Sequence, residues 1–174
     1  MEKIEKEYKM LLTKYQFELL INNIKGLNKR AQINYYYQVK PQSNKLMVRI
    51  RQINNQYFFT LKYQSDQLYE YEFEISHHSL DDERINSLFD KFKIDEAVYI
   101  GSMKTIRYYK DDQYGELCLD HNLYHEMEDY EFEYELYDSN QNHSQYVNEL
   151  LLKYDIKFNN NSHSKFKRFL TSVK

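Results

Sequence analysis

The stretch Ile4-Glu5-Lys6-Glu7-Tyr8-Lys9 begins the sequence with an alternation that predicts a β-strand. Successive side chains of a strand point to opposite faces, so Glu5, Glu7 and Lys9 share one face. Two carboxylates about 7 Å apart along a strand can share hard divalent cations, and the ammonium can contact the anion that those cations bind. A solvated strand face, or the first turn of a charged helix, is the alternative that this stretch alone leaves open.

The composition indicates one strand-rich domain over residues 1–174. The 174 residues include 19 Tyr, 10 Phe, three Gly and one Pro, which favours strands and contains no obvious linker. The net charge of −3 gives no general argument for binding nucleic acid or an anionic membrane. The single cysteine, Cys118, excludes an internal disulfide and a cysteine-based zinc cluster. A charged N-terminus and the absence of an apolar run of about 18 residues predict neither a signal peptide nor a membrane span, so a cytoplasmic location is expected.

The hydrophobic periods predict strands and helices along the whole chain. Eight strands are expected at residues 4–9, 31–39, 45–53, 56–64, 68–75, 98–110, 116–120 and 128–137. Four helices are expected, two of them beginning at Thr13-Lys14-Tyr15-Gln16 and Ser79-Leu80-Asp81-Asp82, and two spanning about 143–154 and 163–172. Most consecutive strands follow each other in the sequence as hairpins, so they are expected to pair antiparallel. This order predicts an α+β fold: an eight-stranded antiparallel β-barrel flanked by about four helices.

Several strands carry charged residues on one face and apolar residues on the other. The charges are sorted by sign, because Arg49 and Arg51 share a face of one strand whereas Glu131, Glu133 and Glu135 share a face of another. An exposed face would gain little from such sorting, since an exposed ion pair contributes only about 0–1 kcal/mol. If the helices cover the apolar faces from outside, the charged faces line a polar lumen around a polyanion and its metal ions. A solvated sheet face stays the alternative.

Charged motifs in a characteristic order along the whole chain resemble those of the CYTH family. They are Glu5-x-Glu7-x-Lys9, Arg49-x-Arg51, Lys62, Glu72-x-Glu74, Thr105-x-Arg107, Asp120 and Asp129-Tyr130-Glu131-Phe132-Glu133. This family contains the triphosphate tunnel metalloenzymes and is named for class IV adenylate cyclases and thiamine triphosphatases. Leu11-Leu12-Thr13-Lys14 and Ser164-Lys165-Phe166-x-Arg168-Phe169 most resemble its YjbK branch from low-GC Gram-positive bacteria.

The resemblance implies an eight-stranded barrel whose lumen holds a triphosphate group with Mg²⁺ or Mn²⁺. By position, it implies that the substrate contacts are Lys9, Arg49, Arg51, Lys62, Arg107 and Lys165. It implies that the metal ligands are Glu5, Glu7, Glu131, Glu133 and Asp120, with Glu72 or Glu74 as further candidates. Glu5, Glu7 and Arg107 are the residues expected to be catalytic. These residue types suit the task, because arginine pairs with two phosphate oxygens and carboxylates suit magnesium.

The expected function is metal-dependent hydrolysis of a phosphoanhydride bond in inorganic triphosphate or a related nucleoside or thiamine triphosphate. Two alternatives stay open: an adenylate cyclase that forms cyclic AMP from ATP, and a non-catalytic sensor of nucleotides or polyphosphate. The cyclase needs a nucleobase pocket, and none is identifiable in the sequence. The expected partner is a small triphosphate rather than nucleic acid or a membrane, and a homodimer is left open.

Other conspicuous residues receive a structural interpretation. Cys118 is expected to pack inertly on its strand, because no base that would activate it is identifiable. His121 and His125 are expected at the surface, around a strand end and a loop. Glu70 and Glu135 lie in register with their motifs, but their roles are left open, since a position at the barrel rim is the alternative for both. The strand at residues 31–39 supplies no clear charged residue to the lumen.

Overall fold

The computed structural model describes residues 2–160 and 162–173. Over these residues the strands are β1 (Glu2–Glu5), β2 (Glu7–Leu12), β3 (Asn28–Lys40), β4 (Leu46–Ile53), β5 (Gln56–Gln64), β6 (Leu68–Ile75), β7 (Glu96–Asp111), β8 (Gly115–Tyr124) and β9 (Met127–Leu136). The helices are α1 (Lys14–Asn23), α2 (Glu83–Phe92), α3 (Ser144–Leu152) and α4 (Lys165–Ser172). None of these helices has the length and apolar character needed to cross a bilayer.

The described strands form one sheet in the order β1-β6-β5-β4-β3-β7-β8-β9-β2. The pairs β2–β9, β3–β4, β4–β5, β5–β6, β7–β8 and β8–β9 are antiparallel. The strands at the two ends of this order, β1 and β2, are consecutive in the chain. The expected α+β class with an antiparallel sheet and four helices is confirmed, with nine strands in place of eight.

The predicted first strand is divided in two at Lys6. The part before this residue, β1, pairs with β6, whereas the part after it, β2, pairs with β9. The backbone carbonyl of Lys6 accepts a hydrogen bond from the amide of Leu136 at 3.0 Å. The chain therefore changes its partner strand here. Alternation predicts that residues are extended, but it carries no information on which strand they pair with.

The chain divides into two compact units. Unit 1 contains Met1–Ile4 and Gln32–Met103, and unit 2 contains Glu5–Ala31 and Lys104–Lys174. In unit 1, one face of β4, β5 and β6 is apolar and packs with α2. The buried side chains of this core include Val48, Ile50, Phe59, Leu61 and Ile85. The second predicted helix therefore contributes Ile85 to this core.

In unit 2, α1 and α3 cover the apolar face of β2, β8 and β9. The predicted capping box begins α1, because the Gln16 amide donates to Thr13 Oγ1 at 3.2 Å and the Thr13 amide donates to Gln16 Oε1 at 2.9 Å. Phe17 of α1 and Leu151 of α3 are buried with the strand residues. With one sheet face filled in this way, the alternating side chains of the same strands are directed to the opposite face.

Strand β8 is longer than predicted and includes His121. Tyr124 at its end pairs with Met127, so only His125 and Glu126 form the turn to β9. The imidazole of His121 contacts Glu128 at 2.7 Å and stacks on Tyr130. The expectation of a strand end at His121 is wrong, because its polar neighbours pair with β9 instead of forming a loop.

Gly115 allows β8 to begin close to β9, and this generates a stability prediction. A Cβ atom at Gly115 would lie 2.1 Å from the backbone oxygen of Glu135, so the strands would have to separate. We expect Gly115→Ala to lower the free energy of unfolding by about 3 kcal/mol, because a backbone contact cannot relax as a flexible side chain can. Denaturant-induced unfolding measures this difference.

Gly26→Ala is the control for this experiment. Gly26 has a φ of 79°, but the space around its Cβ position is open. Only the backbone cost of about 1 kcal/mol is therefore expected. Equal losses in the two variants would show that the close approach of β8 and β9 is not the cause.

Candidate active site

The polar face of unit 2 gathers charged side chains from β7, β8 and β9. Strand alternation places Arg107, Asp120, Glu131 and Glu133 on this face, because their neighbours in sequence belong to the apolar side. The antiparallel register sets Asp120 opposite both Arg107 on β7 and Glu131 on β9. Asp120 and Glu131 are fully buried. Groups that are far apart in the sequence therefore meet at one place.

Asp120, Glu131 and Glu133 form a compact acidic cluster. One carboxylate oxygen from each residue lies within 4.8 Å of the others. Carboxylates this close repel one another, and burial strengthens the repulsion because the local dielectric constant is low. Such a cluster is stable only if cations lie beside it.

Lys165, the first residue of α4, places its ammonium among these three carboxylates. Its Nζ lies 2.9 Å from Asp120 Oδ2 and 2.6 Å from Glu131 Oε2, and it also donates to Glu133 Oε1. The hydroxyl of Ser164 accepts a hydrogen bond from the Lys167 amide at 3.3 Å, which caps α4 beside the cluster. The residue predicted to contact substrate is thus also a counterion of predicted metal ligands.

Arg107 is a second cation of the cluster. Its Nε donates to Asp120 Oδ1 at 2.8 Å and its Nη2 donates to Asp120 Oδ2 at 2.6 Å, which forms a bidentate pair. The same Nη2 donates to Glu133 Oε2 at 2.6 Å. The guanidinium therefore links β7 to β8 and β9, and both carboxylates hold its orientation.

The cations keep the buried carboxyl groups ionised. Burial alone would raise the pKa of Asp120, but Arg107 and Lys165 beside it lower that pKa. Burial would likewise raise the pKa of Glu133, yet Lys165 and Arg107 hold it well below its usual range. Burial opposes the charge on Lys165, but Glu131, Glu133 and Asp120 raise its pKa well above the ordinary value. Asp120, Glu133 and Lys165 therefore stay charged at neutral pH.

Arg168 belongs to a matching motif that gives it no role, and the structure places it at the site. Its Nη2 donates to Glu131 Oε2 at 2.8 Å and its Nη1 donates to Glu131 Oε1 at 3.0 Å. Its Nε donates to Asp129 Oδ2 at 2.9 Å. The sequence does contain a signal for it, since residues three apart on a helix share a face and Arg168 follows Lys165 by that spacing.

The N-terminal motif brings Lys9 and Glu7 to the same sheet region. Lys9 is paired in register with Glu133 on β9, and its ammonium donates to Glu7. Glu5, at the end of β1, is 9% exposed. Among the described residues, the acidic cluster contains Asp120, Glu131 and Glu133 and does not include Glu5 or Glu7. The structure thus brings together only part of the predicted ligand set.

Unit 1 contains a separate charged cluster on β4, β5 and β6. Arg49 Nε donates to Thr60 Oγ1 at 3.2 Å, and the Thr60 hydroxyl donates to Glu72 Oε2 at 2.9 Å. The same Glu72 oxygen lies 3.6 Å from Arg49 Nη2 and 3.9 Å from Arg51 Nη1. Glu72, a further metal candidate by resemblance, is therefore a counterion of the two arginines in this structure. Glu74 is exposed and accepts a hydrogen bond from Gln56 at 3.2 Å.

Lys62 and Glu70 form an ion pair on the neighbouring positions of β5 and β6. Lys62 Nζ lies 3.0 Å from Glu70 Oε2, and the Glu70 side chain is only 12% exposed. Its strand pairs directly with the one that carries Lys62, which accounts for the low exposure of the Glu70 side chain. The predicted basic residue is thus accompanied by a buried carboxylate that the motif did not assign.

Cys118 has the inert environment expected of it. Its thiol is buried on β8 and donates to Glu116 Oε1 at 3.2 Å. Burial raises the pKa of the thiol well above its ordinary value, although Arg107 opposes this. A thiol that stays protonated is a poor nucleophile.

The CYTH domain family matches residues 3–170 of this chain. The protein therefore belongs to the CYTH family, as the order of its charged motifs indicates. Over 152 residues it is 32% identical to a candidate triphosphatase of Bacillus subtilis strain 168, YjbK, and the match covers 79% of this chain and 80% of that protein.

Solved structures show the same fold. A candidate adenylate cyclase from Bacillus halodurans has a TM-score of 0.80 at 25% identity, covering 97% of this chain and 98% of that one. A candidate adenylyl cyclase from Hippeastrum, described as having a dominant triphosphatase activity, has a TM-score of 0.79 at 21% identity, covering 99% of this chain and 96% of that one. The predicted fold class is confirmed by these similarities.

The buried pair of Glu70 and Lys62 predicts a pH dependence of stability. Burial would raise the pKa of Glu70, but Lys62 and Arg49 lower it from 4.5 to about 2. A carboxyl whose pKa is lower in the folded state stabilises that state above its unfolded pKa, and this stabilisation is lost as the pH falls through the folded pKa. We expect the Tm to fall between about pH 4.5 and pH 2, and to fall less steeply in Glu70→Gln.

Thermal unfolding followed by circular dichroism across this pH range measures the effect. Glu96→Gln is the control, because Glu96 pairs with Lys40 but is 57% exposed, and its curve should run parallel to that of the wild type. If Glu70→Gln keeps the wild-type slope below pH 4.5, Glu70 does not carry this pH dependence.

Proposed function

We propose that the protein is a metal-dependent triphosphatase that hydrolyses a phosphoanhydride bond of inorganic triphosphate or a related small triphosphate. The observation that most supports this is the convergence of Asp120, Glu131 and Glu133 on the Lys165 ammonium, beside Arg107. This arrangement offers oxygen ligands for a cation next to basic groups that suit phosphate. The similarity to YjbK, which is named as a candidate triphosphatase, supports the same reaction.

The acidic cluster fits a divalent cation. Asp120, Glu131 and Glu133 supply hard oxygen ligands close together, and they already bind one cation, the ammonium of Lys165. Bound there, Mg²⁺ or Mn²⁺ would polarise phosphate oxygens and lower the pKa of a bound water. Glu5 and Glu7 are the further ligands that we propose from their place in the family motif.

The charges of the site favour joint binding of a cation and a polyanion. Four carboxylates, the three of the cluster and Asp129, face the three cations Lys165, Arg107 and Arg168, so the charges nearly balance. A dication alone would leave this balanced cluster positive, whereas a dication accompanied by triphosphate would not. We propose that Lys165 exchanges carboxylate partners for phosphate oxygens when both bind.

The chain's own residues then have distinct roles in the reaction. Arg107, Lys9 and Lys165 would neutralise the negative charge that spreads over the transferred phosphoryl group. Glu5 and Glu7 would orient the attacking water for in-line displacement at the terminal phosphorus. The water oxygen forms the new P–O bond, and the anhydride P–O bond breaks with its electron pair passing to the bridging oxygen of the departing diphosphate. One proton of the water passes to a carboxylate or to solvent.

Arg49, Arg51 and Lys62 are proposed as further substrate contacts. Two guanidinium groups on one strand suit a chain of phosphates, because each can pair with two oxygens. Their contacts with Glu72, at 3.6 and 3.9 Å, are longer than the 2.6 Å contact of Arg107 with Asp120. Hydrogen bonds from Arg49 Nε to Thr60 Oγ1 and from Arg51 Nε to Asn34 Oδ1 hold the orientation of both guanidinium groups.

An adenylate cyclase is the second candidate function. The similarity to the candidate adenylate cyclase of Bacillus halodurans favours it. The two reactions differ in their products, since a cyclase releases pyrophosphate and cyclic AMP from ATP and a triphosphatase releases orthophosphate. A non-catalytic sensor is less favoured, because binding an anion alone would not need carboxylates beside the phosphates.

The proposal includes a cytoplasmic location and a small soluble substrate.

The proposed roles predict the behaviour of active-site variants. With Mg²⁺ or Mn²⁺ and inorganic triphosphate, we expect the wild type to release orthophosphate. We expect Arg107→Lys to lower kcat by about 10²–10³-fold, because the bidentate donor to the reacting group is lost while the charge is kept. We expect the double variant Glu5→Gln/Glu7→Gln to show no measurable turnover. Phosphate release from inorganic triphosphate measures both effects. Product analysis with ATP distinguishes hydrolysis from cyclisation.

Two controls accompany the activity assay. Arg107→Ala removes one of the two cations that contact Asp120 and Glu133, so Arg107→Lys is the variant to interpret if the alanine variant unfolds. Glu96→Gln, at an exposed ion pair, should keep wild-type activity. Folded active-site variants that match the wild type would refute these roles, and cyclic AMP as the product from ATP would favour the cyclase.

The position of Lys165 predicts competition between its ammonium and the metal. We expect Lys165→Met to bind Mn²⁺ at least about tenfold more tightly in the absence of substrate, because the carboxylates lose their internal cation. We expect the same variant to bind inorganic triphosphate more weakly in the presence of metal. Titration of Mn²⁺ followed by electron paramagnetic resonance, and calorimetry with triphosphate, measure the two affinities.

Lys167→Met is the matched control for this experiment. Lys167 lies on the same helix but is exposed, so removing its charge should change neither affinity. Unchanged Mn²⁺ affinity in Lys165→Met would show that the ammonium does not compete with a metal for this cluster.

A further inference from the structure

Strand β3 carries two buried carboxamides on the same face. Gln32 is 1% exposed and Asn34 is 0% exposed. The side chains between and beyond them, such as Tyr35, belong to the apolar core on the other face. Positions two apart on a strand are about 7 Å apart, so the carboxamides form a short polar row. No charged residue lies between Ala31 and Val39, and the motifs therefore give this part of the strand no role.

These carboxamides retain unused hydrogen-bonding capacity. Asn34 Oδ1 accepts from Arg51 Nε at 3.0 Å, but its Nδ2 has no partner among the described residues. Neither Oε1 nor Nε2 of Gln32 has a partner in that part of the chain. Buried side-chain polar atoms are normally paired, because leaving them unpaired is costly. An unpaired amide at a fully buried position therefore calls for a ligand or an ordered water.

Asn122 of unit 2 shows the ordinary arrangement for comparison. This carboxamide is also fully buried, but its Oδ1 accepts from Thr105 Oγ1 at 2.7 Å and its Nδ2 donates to Asp129 Oδ1 at 2.9 Å. The fold thus satisfies this buried carboxamide internally. Gln32 differs at both of its polar atoms.

The neighbours of Gln32 indicate what kind of molecule would use it. Along the β3–β4 pair, Tyr36 lies opposite Arg49, Asn34 lies opposite Arg51, and Gln32 lies opposite Ile53. The polar row therefore passes from two guanidinium groups to an uncharged donor and acceptor. A ligand that matches it carries phosphates at one end and an uncharged group that both donates and accepts hydrogen bonds at the other.

We propose that Gln32 and Asn34 form a subsite for the nucleobase of a nucleoside triphosphate, with Arg51 contacting its phosphates. A carboxamide can pair with the adjacent donor and acceptor of a base edge, as it does with the N6 amino group and N7 of adenine. The subsite would make ATP a better ligand than inorganic triphosphate. This inference rests on the proposed binding of triphosphates, but it concerns selectivity and not the reaction.

Calorimetry with the full chain, Mg²⁺ and either ATP or inorganic triphosphate tests the subsite. We expect Gln32→Met, which keeps the side-chain volume but removes both polar atoms, to weaken ATP binding about tenfold, the effect of one lost hydrogen bond. Binding of inorganic triphosphate should stay within about twofold of the wild type. The Tm should not fall, because no protein hydrogen bond is lost.

Gln52→Met is the matched control. Gln52 lies on β4, and its carboxamide accepts from the Tyr35 hydroxyl at 2.9 Å and donates to the Asn54 carbonyl at 3.1 Å. This variant should leave the ratio of the two affinities unchanged. If Gln32→Met also leaves the ratio unchanged, or if the wild type binds neither ligand, the subsite is refuted and Gln32 is paired by buried water.

The binding assay separates this inference from the proposed function. Loss of ATP selectivity in Gln32→Met supports the subsite even if the wild type releases no phosphate. Phosphate release with an unchanged affinity ratio supports the triphosphatase and refutes the subsite.

Discussion

The interaction on which unit 2 depends is the ion cluster between β7, β8, β9 and α4. Asp120 and Glu131 are fully buried, and removing a carboxylate from water is unfavourable unless a cation and hydrogen bonds replace the hydration. Arg107 and Lys165 supply these cations from a strand and from a helix near the end of the chain. The polar face can therefore be buried only because charges of both signs arrive there from distant parts of the sequence.

The same balance of charges affects both the stability of the cluster and its capacity to bind phosphate. A cluster neutralised by protein cations is stable without ligands, and each of its cations can also contact phosphate. Exchange of partners by Lys165 needs no new residue, because an ammonium interacts with carboxylate and phosphate oxygens in similar ways. Arg107 is held by two carboxylates and keeps a defined orientation, as a group that stabilises a transition state requires.

Much of this arrangement could be predicted from the sequence, and the remainder has a physical reason. Alternation assigns Asp120, Glu131 and Glu133 to one face, and the capping box predicts the start of α1. Neither pattern predicts the division at Lys6, which depends on the partner strand, nor the burial of Lys165, which depends on where α4 docks. The helical spacing of Arg168 from Lys165 predicts that the two residues share a face of α4. It does not predict the contact of Arg168 with Glu131.

Gln32 and Glu72 show which positions are hardest to interpret from the sequence. They are uncharged polar residues, and acidic residues that lie among basic ones. A motif is recognised by charge, so a carboxamide on β3 attracts no attention until its burial and missing partners are known. The buried carboxamide of Asn122 has a partner at each of its polar atoms, whereas neither polar atom of the Gln32 side chain has a partner among the described residues. A buried carboxamide without partners is costly, so its presence is informative where the charged motifs are silent. The role proposed for Gln32 therefore rests on burial and missing partners, which no charge pattern in the sequence indicates.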